Sequence, residues 1–478
     1  MHKEPCGRTD RGDTMSHITD LNALDLSRAI RARELSCREV MRAYIDRIQS
    51  LNPGVNALVS LEPEARLLAQ AERHDGMLAR GECLGWMHGM PQAPKDVTAV
   101  AGLRTTFGSP LLKDFVPRQD APAIARMRAA GAIFIGKSNV PEFALGSQTY
   151  NSVFGATRNA LDPALTAGGS SGGAAVALAL RMLPVADGSD MMGSLRNPAA
   201  FNNIYGMRPS RGRVPSGSAE VFCQQLATDG PMARNIADLA MLLRTQAGYD
   251  ARDPLSTPAD LAEGLETDLR GRRIGWLGDL QGHLAFEPGI LPLCEQSLAR
   301  FAQAAGLRVE PAQLAFDPEG MWETWLTWRH FLLAGALGVH YDDPATRALL
   351  KPEAIWEIER GRGLTAAALY QASLARSDLY RAVLDLFGRF DFLALPTAQV
   401  FPFDVATPWP RRIAGRAMDT YHRWMEVTIL PTLTGCPALS VPAGFNDNGL
   451  PTGLQLIGRP HADWEVLQLG RAWEKALA

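Results

Sequence analysis

The sequence predicts an α/β protein in which helices cover both faces of a sheet. Short apolar runs of the kind found in buried strands follow helical stretches at three places: residues 120–130 with 132–135, 291–305 with 307–309, and 379–387 with 392–395. Strands that are apolar throughout, rather than alternately apolar and polar, are typical of a sheet buried on both faces. Helices alternating with such strands supply the covering layers.

Two amphipathic helices are predicted between residues 21 and 53. In the second, apolar side chains from Val40 to Ile48 recur with the 3.6-residue period of one helix face. Pro53 is expected to end this helix, because proline has no backbone N–H to donate. Residues 1–14 are polar and lack the apolar core of a signal peptide, so we expect a disordered extension before Met15.

A third helical region extends from about residue 316 to residue 385 and is rich in tryptophan. We interpret it as an insertion that covers the core. Trp322, Trp325 and Trp328 recur every three residues and therefore lie near one helical face. Two interpretations are open: ordinary packing of the cover, or an aromatic wall for an aryl or long acyl group.

Composition and charge are those of an ordinary globular protein. The 478 residues are 46% hydrophobic and 21% charged, with a formal net charge of −3. Such a surface gains little from nucleic acid or an anionic membrane, so we expect neither as a partner. No apolar run reaches the roughly 18–20 residues that span a bilayer. The six cysteines are scattered without zinc-like spacing, which favours reduced thiols in the cytoplasm.

The first of three candidate motifs resembles a phosphate-binding loop. Residues 131–138 satisfy G-x-x-x-x-G-K-[ST], with Lys137 as the lysine. A phosphate-binding loop needs flexible backbone that can curl around phosphate. The four variable positions are Ala-Ile-Phe-Ile, which favour a strand. We therefore reject nucleotide binding.

The second motif, G-x-S-x-G at residues 168–172, resembles the nucleophile elbow of α/β-hydrolases. That elbow needs a strand directly before the serine, yet residues 162–167 are turn-like. His422 or His461 would have to supply the base. This interpretation is kept only as a minor alternative.

The third candidate combines Lys95 with Ser170 and Ser194. Both serines lie in glycine-flanked turns, and Lys95 lies in a short apolar setting, with no histidine nearby in the sequence. A serine hydroxyl is a poor nucleophile unless a base takes its proton. These residues favour acyl-transfer chemistry with lysine as that base.

At these residues the sequence resembles the amidase signature family, in a match that extends from about residue 20 to residue 460. The matching segments are Gly-Gly-Ser-Ser-Gly-Gly (168–173), Gly188-Ser-Asp190, Gly193-Ser194-Leu-Arg196, Pro91, Lys95-Asp96, residues 136–139, Asn159, residues 229–234, Gly435-Cys-Pro437 and Gly453-Leu-Gln455. The resemblance implies a three-layer α/β/α sandwich around a large mixed sheet, formed as one domain over residues 15–478. A helical insertion would cover the active site.

The resemblance also implies the catalytic roles. Ser194 is the expected nucleophile, Ser170 the bridging serine after a cis Gly169–Ser170 peptide bond, and Lys95 the base. An unperturbed lysine has a pKa of about 10.4, so it is almost fully protonated at pH 7. Burial disfavours the ammonium form and would lower that pKa. No metal or organic cofactor is expected.

The expected oxyanion donors are the backbone N–H groups of Met191, Met192, Gly193 and Ser194. Here the chain departs from the family, which usually has Thr-Gly-Gly where this chain has Met-Met-Gly. Either Met192 strains the turn, or the two thioethers shape the pocket floor for apolar substrates, which we favour. Asp190 and Arg196 are expected to tie this turn together.

We expect a free-standing amidase, monomeric or homodimeric, that cleaves aryl or alkyl amides and also esters and carbamates (urethanes). Tyr150 and Asn151 are weaker pocket candidates beside Met192 and the three tryptophans. The alternative is the glutaminase A subunit of a tRNA-dependent amidotransferase, which works with partner proteins. A non-catalytic binding module is a third alternative; Thr432, where the family often has asparagine, is one of its few supports.

Overall fold

The computed structural model describes residues 18–259, 261–262 and 264–477. The helices are α1 (Ala23–Arg31), α2 (Cys37–Val55), α3 (Glu64–Ala79), α4 (Pro122–Ala129), α5 (Gly172–Ala179), α6 (Arg196–Phe201), α7 (Ile236–Gln246), α8 (Ile290–Ala305), α9 (Pro318–Asp342), α10 (Pro344–Arg347), α11 (Pro352–Arg362), α12 (Ala366–Phe387), α13 (Ile429–Thr434) and α14 (Asp463–Leu477). The disordered extension predicted at residues 1–14 lies outside the described residues.

The strands are β1 (Leu58–Val59), β2 (Pro91–Gln92), β3 (Ile133–Phe134), β4 (Lys137–Ser138), β5 (Tyr150–Asn151), β6 (Gly155–Ala156), β7 (Ala186–Asp190), β8 (Tyr205–Arg208), β9 (Thr228–Ala233), β10 (Arg273–Trp276), β11 (Arg308–Pro311), β12 (Phe392–Pro396), β13 (Arg412–Ile413), β14 (Arg416–Ala417), β15 (Ala438–Phe445) and β16 (Pro451–Ile457). Eight of them form the central sheet, in the order β11-β10-β12-β16-β15-β8-β9-β7.

The central sheet is mixed. Strand β10 runs parallel to β11 and β12, whereas β12, β16, β15, β8, β9 and β7 are joined by antiparallel pairs. Strands β12, β16 and β8 are buried throughout, and the apolar composition of β12 predicts this. Strands β16 and β8 also bury the polar side chains Gln455 and Arg208. Helices pack around the sheet, with α6, α8 and α14 against β15. The predicted sandwich around a large mixed sheet is confirmed.

Each predicted helix is followed by a strand, as α4 by β3, α8 by β11, and α12 by β12. Of these three strands, only β12 is buried within the central sheet as predicted. Strand β3 pairs with β2 outside that sheet, and β11 is an edge strand with three of its four residues exposed. The second N-terminal helix, α2, starts at a capping box between Ser36 and Glu39. It passes the predicted stop at Pro53 and ends after Val55, where Asn56 adopts a left-handed conformation. Proline removes one backbone donor from this turn, and the helix is closed by the Asn56 N–H, which donates to the Asn52 carbonyl oxygen at 2.7 Å.

The tryptophan-rich region forms helices α9 to α12, of which α9 packs against α11 and α12. Residues of α9 reach the pocket that holds the two serines, so these helices form part of its wall. No helix within the described ranges is both long and apolar enough to cross a membrane. The rejected phosphate-loop motif forms strands β3 and β4. Lys137 in β4 is fully buried, and its amine donates to the Thr98 carbonyl oxygen.

Two turns bring the candidate catalytic residues together. Ser170 lies two residues before the start of α5, and Ser194 lies in the short turn between β7 and α6. The Ser171 N–H donates a hydrogen bond of 3.2 Å to the Ser194 carbonyl oxygen, which joins the two turns. Lys95 follows β2, which pairs in parallel with β3 beside these turns. The fold therefore collects one lysine and two serines from three separate chain segments.

Candidate active site

A pocket of about 290 Å³ opens at the two serine turns. Its lining residues are Val97, Phe107, Phe143, Ala144, Leu145, Gly146, Ser170, Ser189, Met191, Met192, Ser194, Gln224, Ala227, Arg329, Leu333 and Met425. Most of these side chains are apolar, and Arg329 is the one charged residue in the set. The pocket is thus an apolar cavity with two serine hydroxyls at one end.

Lys95 lies beneath this pocket with its side chain fully buried. Its Nζ atom is 2.7 Å from Ser170 Oγ, 2.9 Å from Ser189 Oγ and 3.2 Å from the Ser189 carbonyl oxygen. The Lys95 backbone N–H donates to Asp187 Oδ2 at 3.2 Å, which anchors the segment after β2 to β7. The amine is therefore held within proton-transfer distance of Ser170.

Burial lowers the pKa of Lys95 to about 7, because the ammonium form loses its hydration. The negative charges of Asp229, Asp190 and Asp187 oppose this shift without cancelling it. Burial, together with the nearby Asp187, also raises the pKa of Asp229 to about 7. A substantial fraction of Lys95 is consequently neutral near pH 7, as a general base requires.

The peptide bond between Gly169 and Ser170 is cis, as the family resemblance implies. The Ser147 hydroxyl donates to the Gly169 carbonyl oxygen and accepts from the Gly169 N–H. Ser170 and Ser194 line the same pocket, but no hydrogen bond between their hydroxyls is formed within the described structure.

Asp190 ties the nucleophile turn together. Its carboxylate accepts two hydrogen bonds from Arg196 at 3.0 Å, one from the Gly193 N–H at 2.8 Å and one from the Leu195 N–H at 3.2 Å. Burial alone would raise the pKa of Asp190, but Arg196 and Arg208 hold it well below its ordinary value. Both Asp190 and Arg196 are fully buried, so the predicted solvent-free structural pair is present.

Three of the four predicted oxyanion donors are free. The Gly193 N–H is bound to Asp190, whereas no intramolecular backbone bond in the described ranges uses the N–H of Met191, Met192 or Ser194. Gly193 has a φ of 78°, while Met192 is absent from the residues with positive φ. The turn therefore needs glycine at 193 rather than at 192, and Met191 and Met192 line the pocket.

The charge of Arg329 is committed to a buried cluster behind the pocket wall. Its Nε donates to Glu357 Oε1 at 2.5 Å and its Nη2 to the Tyr421 hydroxyl at 2.6 Å. His330 Nδ1 contacts Glu357 Oε2 at 2.5 Å. Only Nη1 of Arg329 points toward the pocket, where it lies 3.4 Å from Met191 Sδ. A fully buried carboxylate therefore neutralises the one cation of the pocket.

The other predicted pocket residues lie elsewhere. Asn151 is buried and donates to Asn139 Oδ1 and to the Val140 carbonyl oxygen, at 2.8 and 2.7 Å. Tyr150 is half-buried below Lys351. Trp322 and Trp325 are buried in the core, and Trp328 lines a separate groove. None of these five side chains belongs to the pocket lining.

Neither histidine of the hydrolase alternative reaches the serines. His422 is fully buried, with Nε2 3.5 Å from Glu357 Oε1 and Nδ1 2.8 Å from Thr420 Oγ1. His461 lies in the same separate groove as Trp328. Their positions give no support to a histidine base.

Sequence reasoning missed several residues of the site. Ser189, which contacts the lysine amine, lies inside the matching Gly188-Ser-Asp190 segment, so a signal was present. Arg208 and the Arg329–Glu357 pair carry no local pattern, because their partners are distant in the sequence. Such pairings appear only once the chain is folded.

Comparisons with known proteins agree with this architecture. The model of the family described as Amidase matches residues 39–467. The A subunit of glutamyl-tRNA(Gln) amidotransferase from Thermus thermophilus is 37% identical, over 95% of this chain and 97% of its own. The crystal structure of a bacterial aryl acylamidase of the amidase signature family superposes with a TM-score of 0.89 and 29% identity, covering 96% of each chain.

A second solved structure, 6-aminohexanoate cyclic dimer hydrolase with its substrate, has a TM-score of 0.84 and 25% identity over 96% of this chain and 97% of its own. The chain therefore belongs to the amidase family. It is a hydrolase that acts on carbon–nitrogen bonds other than peptide bonds.

Proposed function

We propose that this chain hydrolyses amides with an apolar acyl group, through an acyl-enzyme on Ser194. The observation that carries the proposal is the buried Lys95 amine, 2.7 Å from Ser170 Oγ, at the base of an apolar pocket that also contains Ser194. A base with a pKa near neutrality and a relay hydroxyl are what a serine nucleophile needs. Metal or cofactor chemistry plays no part in the proposed steps.

In the first step, Ser194 Oγ attacks the carbonyl carbon while its proton passes to Ser170 Oγ. Ser170 gives its own proton to neutral Lys95, which becomes an ammonium group. The same relay returns a proton to the nitrogen as the C–N bond breaks, and the amine leaves. Water then attacks the acyl-enzyme by the same route, and a carboxylic acid is released.

The tetrahedral intermediate needs preorganised donors for its oxyanion. We assign this role to the free N–H groups of Met191, Met192 and Ser194, with Gly193 holding the turn through Asp190. Removing one donor of this kind typically costs about 10²–10³ in kcat. The Asp190–Arg196 pair acts as a positioning device, because it fixes the backbone of the same turn.

The pocket supports an apolar acyl group. Most of the lining side chains are apolar, and they are Val97, Phe107, Phe143, Ala144, Leu145, Met191, Met192, Ala227, Leu333 and Met425. Glutamine would bring an ammonium and a carboxylate, both of which are costly to bury without partners. The lining contains no carboxylate for the ammonium, and Arg329 is already neutralised by Glu357. Esters and carbamates present the same carbonyl and fit the same scheme.

The curated relatives are A subunits of glutamyl-tRNA(Gln) amidotransferases, and they favour a second candidate function over the first. The relative from Thermus thermophilus is an A subunit of glutamyl-tRNA(Gln) amidotransferase, 37% identical over 95% of this chain. By that candidate, the chain releases ammonia from glutamine within a complex with other subunits and tRNA. The same catalytic residues would serve both functions, so the pocket and the partners distinguish the two.

Amine release from an acyl anilide, a matched aryl carbamate and free glutamine tests the two candidates. The proposal predicts turnover of the anilide by the isolated chain, and no ammonia from glutamine. The Ser194→Ala variant should be inactive, and His461→Ala, which alters only the separate groove, should retain the wild-type rate. Ammonia from glutamine, or stable copurification with a second subunit, would favour the amidotransferase candidate. If the isolated chain released no amine from any of the three substrates, that result would contradict the proposal.

A further inference from the structure

A second cavity lies on another part of the surface. It is a groove of about 730 Å³ between α12 and the segments around residues 433–435 and 460–461. Its lining residues are Arg211, Gln225, Trp328, Ser373, Arg376, Ser377, Tyr380, Arg381, Leu384, Leu433, Thr434, Gly435, Pro460 and His461. It shares no lining residue with the serine pocket. Hydrolysis at the serine pocket leaves this groove unexplained.

Every charged side chain in the lining of the groove is positive. Arginines 211, 376 and 381 line it, and no carboxylate belongs to its lining. Arg381 is paired with Asp378 at 2.6 Å outside the groove. The side chain of Arg211 forms no hydrogen bond or ion pair with any described residue, and that of Arg376 uses only Nε, which donates to the Leu433 carbonyl oxygen at 2.7 Å. The guanidinium groups of Arg211 and Arg376 therefore have N–H donors that no described residue uses.

The guanidinium groups of Arg211 and Arg376 also repel each other. Burial and the neighbouring charge of Arg211 lower the pKa of Arg376 to about 10, so Arg376 remains charged at neutral pH. The Arg376 guanidinium lies over the Trp328 ring at 5.4 Å, which holds it in place. An oxyanion between the two arginines would relieve the repulsion, and a guanidinium fork matches carboxylate and phosphate geometry.

The rest of the lining combines apolar or aromatic side chains with polar ones. Tyr380 and Leu384 are exposed large side chains one helical turn apart on α12, and Leu433 faces them across the groove. The volume greatly exceeds that of a bare anion, so the groove has room for an organic body next to the charged head. Hydroxyls of Ser373, Ser377 and Thr434 lie in the same lining.

We propose that this groove is a ligand site separate from the catalytic pocket, and that it binds a small amphiphilic oxyanion. The carboxylate or phosphate head lies between Arg211 and Arg376, and an aryl or alkyl body lies against Tyr380, Leu384 and Leu433. Both head groups share the required chemistry of a planar or tetrahedral oxyanion that accepts several N–H donors. The inference does not depend on the substrate of the serine pocket.

Isothermal titration calorimetry of the full chain tests this site with phenylacetate, phenyl phosphate, orthophosphate and neutral benzyl alcohol as probes. Phenylacetate or phenyl phosphate should bind one per chain, and the tighter of the two identifies the head group. Arg211→Gln should weaken that binding at least about tenfold through lost charge-assisted bonds. Arg381→Gln is the matched control, because its charge is already paired, and it should change the Kd less than about twofold.

The Arg211 side chain has no structural partner within the described ranges, so Arg211→Gln should fold and keep the wild-type amidase rate. Three results would overturn the proposal: no binding of either aryl anion, equal weakening by the two substitutions, or benzyl alcohol binding as tightly as the anions. Orthophosphate binding as tightly as phenyl phosphate would overturn the assigned apolar body. These results can be interpreted even if the chain does not hydrolyse amides, because calorimetry measures binding directly.

Discussion

As the proposed base, Lys95 would determine how activity depends on pH. Burial lowers its pKa from an ordinary 10.5 to about 7, and only the neutral amine accepts the proton of Ser170. We therefore expect kcat/KM to rise with pH through about 7 and then level off, as the ammonium form disappears. A pH–rate profile measures this limb. If kcat/KM rose only near pH 10, the role of a buried lysine as the base would be contradicted.

Lys95→Arg provides a stringent test of the same residue. Arginine keeps the positive charge and is not deprotonated in proteins, so it cannot act as the base. We expect both Lys95→Arg and Lys95→Ala to lose at least about 10²–10⁴ in kcat, the usual contribution of a general base. Wild-type turnover by the arginine variant would show that the base is another group.

Glu357 sets the polarity of the pocket by neutralising Arg329. Glu357→Gln keeps the shape of the side chain and frees the charge of Arg329 at the pocket wall. We expect the ratio of kcat/KM for a carboxylate-tipped acyl anilide to that for an apolar one to rise. Breaking a buried pair also costs about 3–5 kcal/mol of unfolding free energy, which denaturant titration measures. An unchanged ratio in a folded variant would contradict this role.

The proposed catalytic residues could be recognised from the sequence because they lie in short local motifs. Lys95, Ser170 and Ser194 each carry glycine or apolar neighbours that identify them. The pocket walls could not be recognised, since Arg329 and Glu357 are 28 residues apart and meet only through the packing of α9 on α11. Tryptophan periodicity indicated a helix face without indicating what that face contacts.

At the level of elements, the turn between β7 and α6 depends on Gly193. Its φ of 78° suits glycine, and an added Cβ would lie 2.6 Å from Thr428 Cγ2. We expect Gly193→Ala to lower the unfolding free energy by about 1–3 kcal/mol and to reduce kcat by displacing Ser194. Thermal unfolding and amide turnover measure the two effects.

Met192→Ala is the matched control in the same turn. Met192 lines the pocket, and its backbone does not adopt a positive φ. We expect this variant to raise KM for apolar substrates while the turn and kcat are retained. Equal loss of turnover in Gly193→Ala and Met192→Ala would contradict this assignment. Position 193 would then not differ from position 192 in requiring glycine for its backbone conformation.

Three successions of helix and strand were predictable, because an unbroken apolar run differs from the 3.6-residue period of an amphipathic helix. Helices α4, α8 and α12 and the strands that follow them lie close to where the sequence predicts them. The end of α2 was missed by less than one turn, since the helix stops at the left-handed Asn56 rather than at Pro53. The antiparallel pairs around β15 were not predictable from local pattern, because strand order depends on contacts distant in the sequence.

At the scale of the whole molecule, the buried cluster around Glu357 makes stability depend on pH. Burial lowers the pKa of His422 from an ordinary 6.5 to about 4, although Glu357 opposes the shift. The unfolded chain therefore binds more protons than the folded one between these values. We expect the unfolding free energy to fall as pH decreases from about 6.5 to about 4, by on the order of 1–3 kcal/mol.

Denaturant titrations at several pH values measure this slope. His422→Gln removes the titrating ring, so its unfolding free energy should vary less over the same range. A steeper fall in the variant than in the wild type would contradict the assignment. Glu357 stays ionised throughout, because Arg329 and two histidines hold its pKa well below its ordinary value against the effect of burial.

The central claim is that Lys95, acting through Ser170, activates Ser194 as the nucleophile. Covalent labelling by a serine-directed phosphonate, followed by peptide mass spectrometry, tests it most directly. The account predicts a single adduct on Ser194, no adduct at any serine in Ser194→Ala, and greatly slowed labelling in Lys95→Ala. An adduct on another serine, or labelling of Lys95→Ala at the wild-type rate, would contradict it.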